Sequence, residues 1–422
     1  MKLQRIRGTA DLYGKEIELF NSIIEVAQKM AELYCFQEIS TPIMENTEVF
    51  HRTLGETSDI INKETYSFLD RDKTYITLRP EFTAAVVRAI ISNGMLQSLP
   101  LRLFSYGPLF RHERPQKCRL RQFHQINYEY IGSSNLNTDV ELIMLASDIL
   151  KELKIDSNIR PIVNTLGNSE CRNNYKIALV EYLLKYKAEL SEISQQRLEK
   201  NPLRILDTKN DKEQEILNDA PILYDFIDKA SKIKFETILS RLKDLGINFE
   251  HSNRLVRGMD YYSDFVFEFV TDDLGSQGTV LAGGRYDTLV SQMGGASTPA
   301  AGFAGGIERI IELLHITEKQ IERTEQTYLI PIGEYAESFG AKIAQGFREA
   351  GINILVDYGI TLKKRMQKAN KLKIKYSILF GDEELKNNIY ILKNMFTGDE
   401  KRLKKAEVID FLKEKRLQKW LI

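Results

Sequence analysis

The chain has 422 residues, 43% of them hydrophobic and 28% charged, which is ordinary for a globular protein of two or three domains. Its 59 basic and 59 acidic side chains cancel but are unevenly spread: residues 327–422 hold 19 Lys and Arg against 12 Asp and Glu, and residues 1–326 hold 40 against 47. There is no bilayer-length apolar run, no signal-peptide core at the N-terminus, and no CxxC pair among Cys35, Cys118 and Cys171. This argues against a membrane protein, a structural zinc site and a disulfide framework, and leads us to expect a reduced, cytoplasmic protein.

Ile17, Phe20, Ile23, Ile24, Ala27, Ala31 and Tyr34 recur at helical spacing, which predicts an amphipathic helix over 15–34. Residues 38–44 read as a strand in which Pro42 lacks a backbone donor, as at an edge or interface. A strand over 73–79 ends at Arg79-Pro-Glu-Phe-Thr83, and a helix follows over 84–91. Glu81 and Thr83 at this junction suit either a turn with a helix cap or a carboxylate that receives an ammonium.

The most informative stretch is 104–130. Phe104, Tyr106 and Phe110 alternate into a loop around Pro115, in which five of the eleven residues from Arg111 to Arg121 are Lys or Arg. Beyond it, Phe123, Gln125, Asn127 and Glu129 share one face of a strand, and Ile126, Tyr128 and Tyr130 the other. A hairpin with arginines at its tip and a polar row behind them suits a small polar ligand joined to phosphates. Guanidinium grips phosphate oxygens bidentately and does not titrate away.

A helix over 139–153 and a strand over 159–165 follow. From 168 to 251 helical patterns dominate and lysine is frequent, so a helical insertion is expected inside a sheet domain. Strand-like sequence returns at 254–256 and 265–270. Gly302-Phe-Ala-Gly-Gly306 leads into a helix that turns Ile307, Ile310, Ile311 and Leu314 inward, and a charged linker spans 315–326. The remainder alternates strand (328–332), helix (337–350), strand (353–356), helix (362–372) and two strands (376–380, 389–393), a compact α/β domain. Neither GxxxxGK[ST] nor GxGxxG occurs, so a nucleotide would have to be held by arginines on a sheet. Leu255-Val-Arg-Gly-Met-Asp-Tyr-Tyr262 sets Arg257 beside a glycine and two tyrosines, either in a turn with an Asp260 ion pair or in a site. His112 and His124 suit structural hydrogen bonding better than metal binding.

Pro42, Phe110-Arg-His-Glu113 with Arg119, and Gly302-Phe-Ala-Gly-Gly-Ile-Glu-Arg309 resemble, in this order, the three motifs of the class II aminoacyl-tRNA synthetases. Leu255–Tyr262 and Ala282-Gly-Gly-Arg-Tyr-Asp287 resemble the signatures of the histidyl-tRNA synthetase family. The insertion, with Asn201-Pro-Leu-Arg-Ile-Leu-Asp207, and the C-terminal module fit the same likeness, which spans nearly the whole chain. Phe82 and Cys118 depart from it, standing where relatives often have glycine.

The resemblance implies an α/β (α+β) architecture. It places an antiparallel-sheet catalytic domain over 1–167 and 252–325, the insertion over 168–251, and an anticodon-binding domain over 326–422. It implies ATP-dependent formation of a histidyl-adenylate and transfer of L-histidine to its cognate tRNA, with Mg2+ accompanying the ATP phosphates and no protein metal site. Arg111 and Arg257 would grip the α-phosphate, Arg257 taking a role a metal ion otherwise has. Glu113, Arg119 and Arg309 would bind the rest of ATP. Glu81, Thr83 and Gln125 would hold the amino group, and Glu129, Tyr261, Tyr262 and Tyr286 the imidazole. Arg114, Gln116, Lys363, Lys364 and Arg365 would meet tRNA, and a homodimer would form through the first motif. A synthetase-like regulatory subunit and a synthetase for another amino acid are the alternatives. The retained Arg257 and C-terminal module oppose the first, and Glu129 with its tyrosines the second.

Overall fold

The structure is a computed structural model that describes residues 3–54, 64–275, 278–317, 326–358 and 361–417. The chain divides into two units, Met1–Ile321 and Glu322–Ile422.

The first unit is built on an eight-stranded sheet. Its strands lie in the order Gln37–Glu38, Leu101–Phe110, Gln122–Ile131, Ala300–Gly306, Thr279–Arg285, Ser263–Val270, Arg160–Thr165, Glu250–His251. The six central strands are antiparallel, and only the two short edge strands pair in parallel. The hairpin expected from period-two alternation forms with ten residues on each side, from Leu101 opposite Ile131 to Phe110 opposite Gln122. Phe104 and Tyr128 point to one face, where the Tyr128 ring stacks 4.9 Å from Phe303. The helix Lys15–Leu33 covers this face with Leu19, Ile23, Ile24 and Ala27, and the Tyr128 hydroxyl donates to the Ala27 carbonyl at 2.7 Å. The helices Leu136–Glu152 and Ile307–Ile316 complete that layer and leave the opposite face of the sheet for polar side chains.

Four helices, Ser169–Leu184, Glu192–Lys200, Asp211–Asn218 and Lys229–Asp244, fill the lysine-rich stretch. Each begins at a capping side chain: Asn168, Ser191, Asn210 and Asp228 accept from backbone N–H groups of their first turns. The second unit is a five-stranded sheet in the order Ile354–Val356, Thr327–Ile332, Tyr376–Gly381, Ile389–Asn394, Glu400–Lys404. It carries its own apolar core around Phe347, Ile378 and Tyr390.

Several local expectations change. The strand expected over 38–44 is two pieces, Gln37–Glu38 and Met44–Asn46, in different sheets. Pro42, with no N–H to give a ladder, lies in the crossing between them. Residues 254–256 form no strand; the Leu255 carbonyl accepts from the Asn164 side chain at 2.9 Å. Conversely, Ala300–Gly306 is itself a central strand, as is Thr279–Arg285, although glycine disfavours strands. Close approach is the reason: a Cβ on Gly283 would stand 2.2 Å from the Gly302 carbonyl oxygen across the ladder. In the second unit the edge strand Glu400–Lys404 and the helix Lys405–Leu417 add to the expected order; their charge-rich sequences carry little periodic contrast.

Candidate active site

The polar face of the large sheet opens into a cleft that is open to solvent on one side. Its wall brings together Glu81, Thr83, Arg111, Glu113, Arg119, Gln125, Arg257, Tyr261, Tyr262 and Arg309, which the sequence spreads over more than half the chain.

The Arg79-to-Thr83 turn supplies one end. Both Glu81 oxygens accept backbone N–H groups, from Thr83 at 2.6 Å and Ala84 at 2.8 Å, so Glu81 rather than Thr83 caps the helix Thr83–Ser92. Burial raises the Glu81 pKa, and these two bonds oppose the rise. Phe82 is buried under the Arg79 guanidinium, 4.4 Å from its ring centroid, so the side chain that departs from the family pattern is absorbed by a cation–π contact.

The hairpin supplies the arginines. Arg111 Nε donates to the Pro80 carbonyl at 3.0 Å, and its guanidinium lies 5.1 Å from the Phe123 ring centroid. Burial lowers its pKa, partly offset by Glu64 and Glu81. Arg119 is paired with Glu113. Cys118 has φ 58°, a left-handed conformation that glycine adopts without strain, and its side chain faces the cleft. Arg114 and Gln116 are exposed on the connecting loop and do not line the cleft.

Arg257 is paired with Glu268, not with Asp260 as the turn reading has it, and sits 5.3 Å from the Tyr262 ring centroid. Burial is the largest influence and acts to lower its pKa, but Glu268, Tyr262 and Tyr261 together outweigh burial and leave it raised. The second Glu268 oxygen accepts from the Thr279 hydroxyl at 2.9 Å, and Arg309 donates to the Thr279 carbonyl. Burial lowers the Arg309 pKa, and Arg119 and Arg111 add to the effect. Four guanidiniums thus crowd one cleft, and an anion among them would relieve the repulsion.

Glu129 and Tyr286 are both buried. Glu129 Oε1 accepts from the Thr83 hydroxyl at 2.5 Å and from Asn127 Nδ2 at 3.0 Å, while Oε2 accepts from Tyr286. Gly302 lies opposite Glu129 in the ladder, and a Cβ there would stand 1.9 Å from Oε2, so only glycine leaves room for this carboxylate. Burial pushes the Glu129 pKa from 4.5 up to about 7 against its three hydrogen bonds. The folded state therefore holds a proton that the unfolded chain releases, and this group's contribution to stability falls as pH rises from about 4.5 to about 7. Glu129→Gln, which cannot ionise, should gain on the parent over that window by on the order of 3 kcal/mol. Thermal midpoints of both proteins at pH 5 and pH 8 test this. A constant gap between them would mean that Glu129 is already ionised in the fold.

Sequence reasoning did not single out Glu268, Thr279 or Glu308. The signal for Glu268 was a lone charge in the apolar run Phe265–Val270. Glu308 accepts both the His124 backbone N–H, at 3.0 Å, and its ring Nδ1 contact, at 2.8 Å. The other histidine of the hairpin, His112, packs edge-on to Tyr66, 5.5 Å away. In the second unit Lys363 and Lys364 are exposed on the helix Leu362–Lys371. Arg365, on the same helix, is 6% exposed and bonds to the Pro331 carbonyl and to Glu337.

The chain is similar to known proteins over nearly its whole length. A family model described as histidyl-tRNA synthetase matches residues 8–310, and one described as an anticodon binding domain matches residues 326–415. A histidine–tRNA ligase of Wolbachia pipientis subsp. Culex pipiens (strain wPip) is 49% identical over 410 residues, 97% of this chain and 100% of the relative. One from Ehrlichia canis (strain Jake) is 48% identical over 415 residues, 98% and 99% of the two chains. The apo histidyl-tRNA synthetase of S. aureus matches with a TM-score of 0.80 at 31% identity, covering 97% of this chain and 99% of its own.

Proposed function

Because the chain belongs to the histidyl-tRNA synthetase family and uses ATP to charge tRNA with histidine, we propose a division of labour for its cleft. The histidine carboxylate attacks the α-phosphate and pyrophosphate leaves; the terminal ribose hydroxyl of the tRNA then attacks the carbonyl carbon of the resulting histidyl-adenylate, and AMP leaves as the ester forms. Chemistry of this kind asks the protein for positioning and charge neutralisation more than for covalent catalysis. The observation that carries the assignment is the convergence of Arg111, Arg119, Arg257 and Arg309 on one cleft that also holds Glu81, Thr83, Gln125 and a tyrosine pair.

Arg111 and Arg257 neutralise the α-phosphate. Glu113 and Arg119 orient the outer phosphates and adenine, and Arg309 stacks on the base. Glu81, Thr83 and Gln125 take the ammonium. Tyr261, Tyr262, Glu129 and Tyr286 recognise the imidazole, with Thr83 and Tyr286 both bonded to the Glu129 carboxylate. Burial raises the Tyr261 and Tyr262 pKa values, so both phenols stay neutral donors and acceptors, matched to a ring with one donor and one acceptor nitrogen.

Magnesium would arrive with the ATP phosphates and spread their charge. Glu81, Glu113, Glu268 and Glu308 are each already engaged, and no three Asp, Glu, His or Cys among the described residues converge on a point. Phosphate oxygens and water would therefore be its main ligands. Arg114 and Gln116 would meet the tRNA acceptor end, and Lys363 and Lys364 the tRNA body. The small sheet of Met44–Asn46, Tyr66–Leu69 and Tyr75–Leu78 exposes the apolar side chains Met44, Phe68, Leu69 and Tyr75, some of which a second copy would cover in a homodimer formed through the first motif. We place the protein in the cytoplasm, with its substrates; its three free cysteines suit a reducing compartment. No described helix is long and apolar enough to cross a membrane.

ATP–pyrophosphate exchange measured with each of the twenty amino acids tests the reading. Histidine alone should support exchange, by about 10⁴-fold over analogues that leave buried polar groups unpaired. Glu129→Gln should raise the Michaelis constant for histidine more than that for ATP. An effect confined to ATP would move Glu129 out of the histidine end.

A further inference from the structure

The helices between Asn168 and Glu250 contribute no side chain to the cleft wall, yet they grip the segment that carries Arg257. Residues 252–262 run outside any strand, between Glu250–His251 and Ser263–Val270, so no ladder holds them. The insertion supplies what the ladder does not. Arg204, in the Asn201-Pro-Leu-Arg-Ile-Leu-Asp207 turn, donates from Nη2 to the Gly258 carbonyl at 2.5 Å and lies 3.8 Å from Asp260 Oδ1. Asn201 Nδ2 donates to the same oxygen at 2.8 Å. Arg172, on the helix Ser169–Leu184, donates to the Tyr262 carbonyl. Asn201 and Arg204 are 7% and 9% exposed, so solvent cannot replace these bonds when one partner is removed.

We propose that Asn201 and Arg204 are positioning residues for the adenylate-forming step, fixing the Gly258–Asp260 backbone so that Arg257 meets the α-phosphate in a reactive orientation. The inference rests on the assignment of Arg257 to that phosphate. The physical need follows from the pairing at the tip of the side chain. Arg257 is held there by Glu268, and an arriving phosphate competes for the same guanidinium. A side chain anchored only at its tip would follow the phosphate; one whose backbone is clamped pulls the phosphate into place. A misplacement of about 1 Å costs on the order of 10²-fold in rate. On this reading the helical insertion belongs to the catalytic machinery although it touches no substrate in the cleft.

The test uses full-length protein and ATP–pyrophosphate exchange with histidine. It compares Arg204→Ala, Arg204→Lys, Asp260→Ala, Arg257→His and the double variant Arg204→Ala/Arg257→His, with a thermal midpoint for each. Arg204→Ala should lower kcat about 10-fold to 100-fold, while both Michaelis constants move far less. Arg204→Lys, which keeps a donor for the Gly258 carbonyl, should recover part of that loss. In the Arg257→His background, Arg204→Ala should change little, because its effect passes through Arg257. A parental kcat for Arg204→Ala overturns the proposal, and so does a loss that multiplies undiminished in the Arg257→His background. Should Arg204→Ala fail to fold, Asp260→Ala removes the shared acceptor, and a parental kcat there overturns the proposal equally. Normal exchange by Arg257→His would instead remove the assignment beneath it, an outcome distinct from failure of the clamp alone.

Discussion

Replacing Arg257 with histidine is expected to lower histidine-dependent ATP–pyrophosphate exchange by roughly 10²–10³, the usual loss for one donor aimed at developing charge. The side chain lines the cleft with Arg111, and Glu268 with Tyr262 and Tyr261 keeps its pKa raised against burial, so it meets the substrate fully charged. An imidazole is shorter, lacks the planar fork, and is only partly charged near neutral pH. The fold should survive, because Thr279 still donates to Glu268 and the insertion still holds the Gly258 and Tyr262 carbonyls. The measurement is exchange kcat beside a thermal midpoint. A variant with normal exchange would sink the assignment, and one that has lost its fold would show that Arg257 mainly offsets a half-buried Glu268.

A chain ending at Gln326 should retain most histidine-dependent exchange but lose most tRNA charging at subsaturating tRNA. Every side chain assigned to ATP or histidine lies at or before Arg309, in a unit with its own apolar core. The second unit has a separate core and carries the basic excess. Lys363, Lys364 and Lys371 are exposed on one helix, and their contribution should weaken as salt rises, since each neutralised phosphate releases counterions. Arg365 belongs to the domain interior, so its replacement should destabilise that unit rather than weaken tRNA contact alone. If the shortened chain charges tRNA as well as the parent does, these lysines only solvate a helix. Its oligomeric state must be measured alongside, because joint loss of exchange and charging would report failed assembly.

What the sequence determined by itself were features of local period and local charge. The alternation around Arg111–Arg121 specified a hairpin, and the heptad-like spacing of 15–34 a helix on its apolar face. The order of the arginine loop, the Arg257 segment and the glycine-rich run before Arg309 pointed to the family. The hairpin and the helix depend on neighbours within a few positions, where side-chain direction follows from backbone geometry alone. Tertiary structure decided the rest. Whether Ala300–Gly306 is loop or strand depends on Gly283 and Gly302 meeting across a ladder. Glu129 finds its partners Thr83 and Tyr286, distant in sequence, only in the assembled sheet. Arg257 finds Glu268, and Arg365 finds Glu337, only once strands and helices have packed. The fate of a charge is set by desolvation and by the partner that offsets it, and both are properties of the assembled interior.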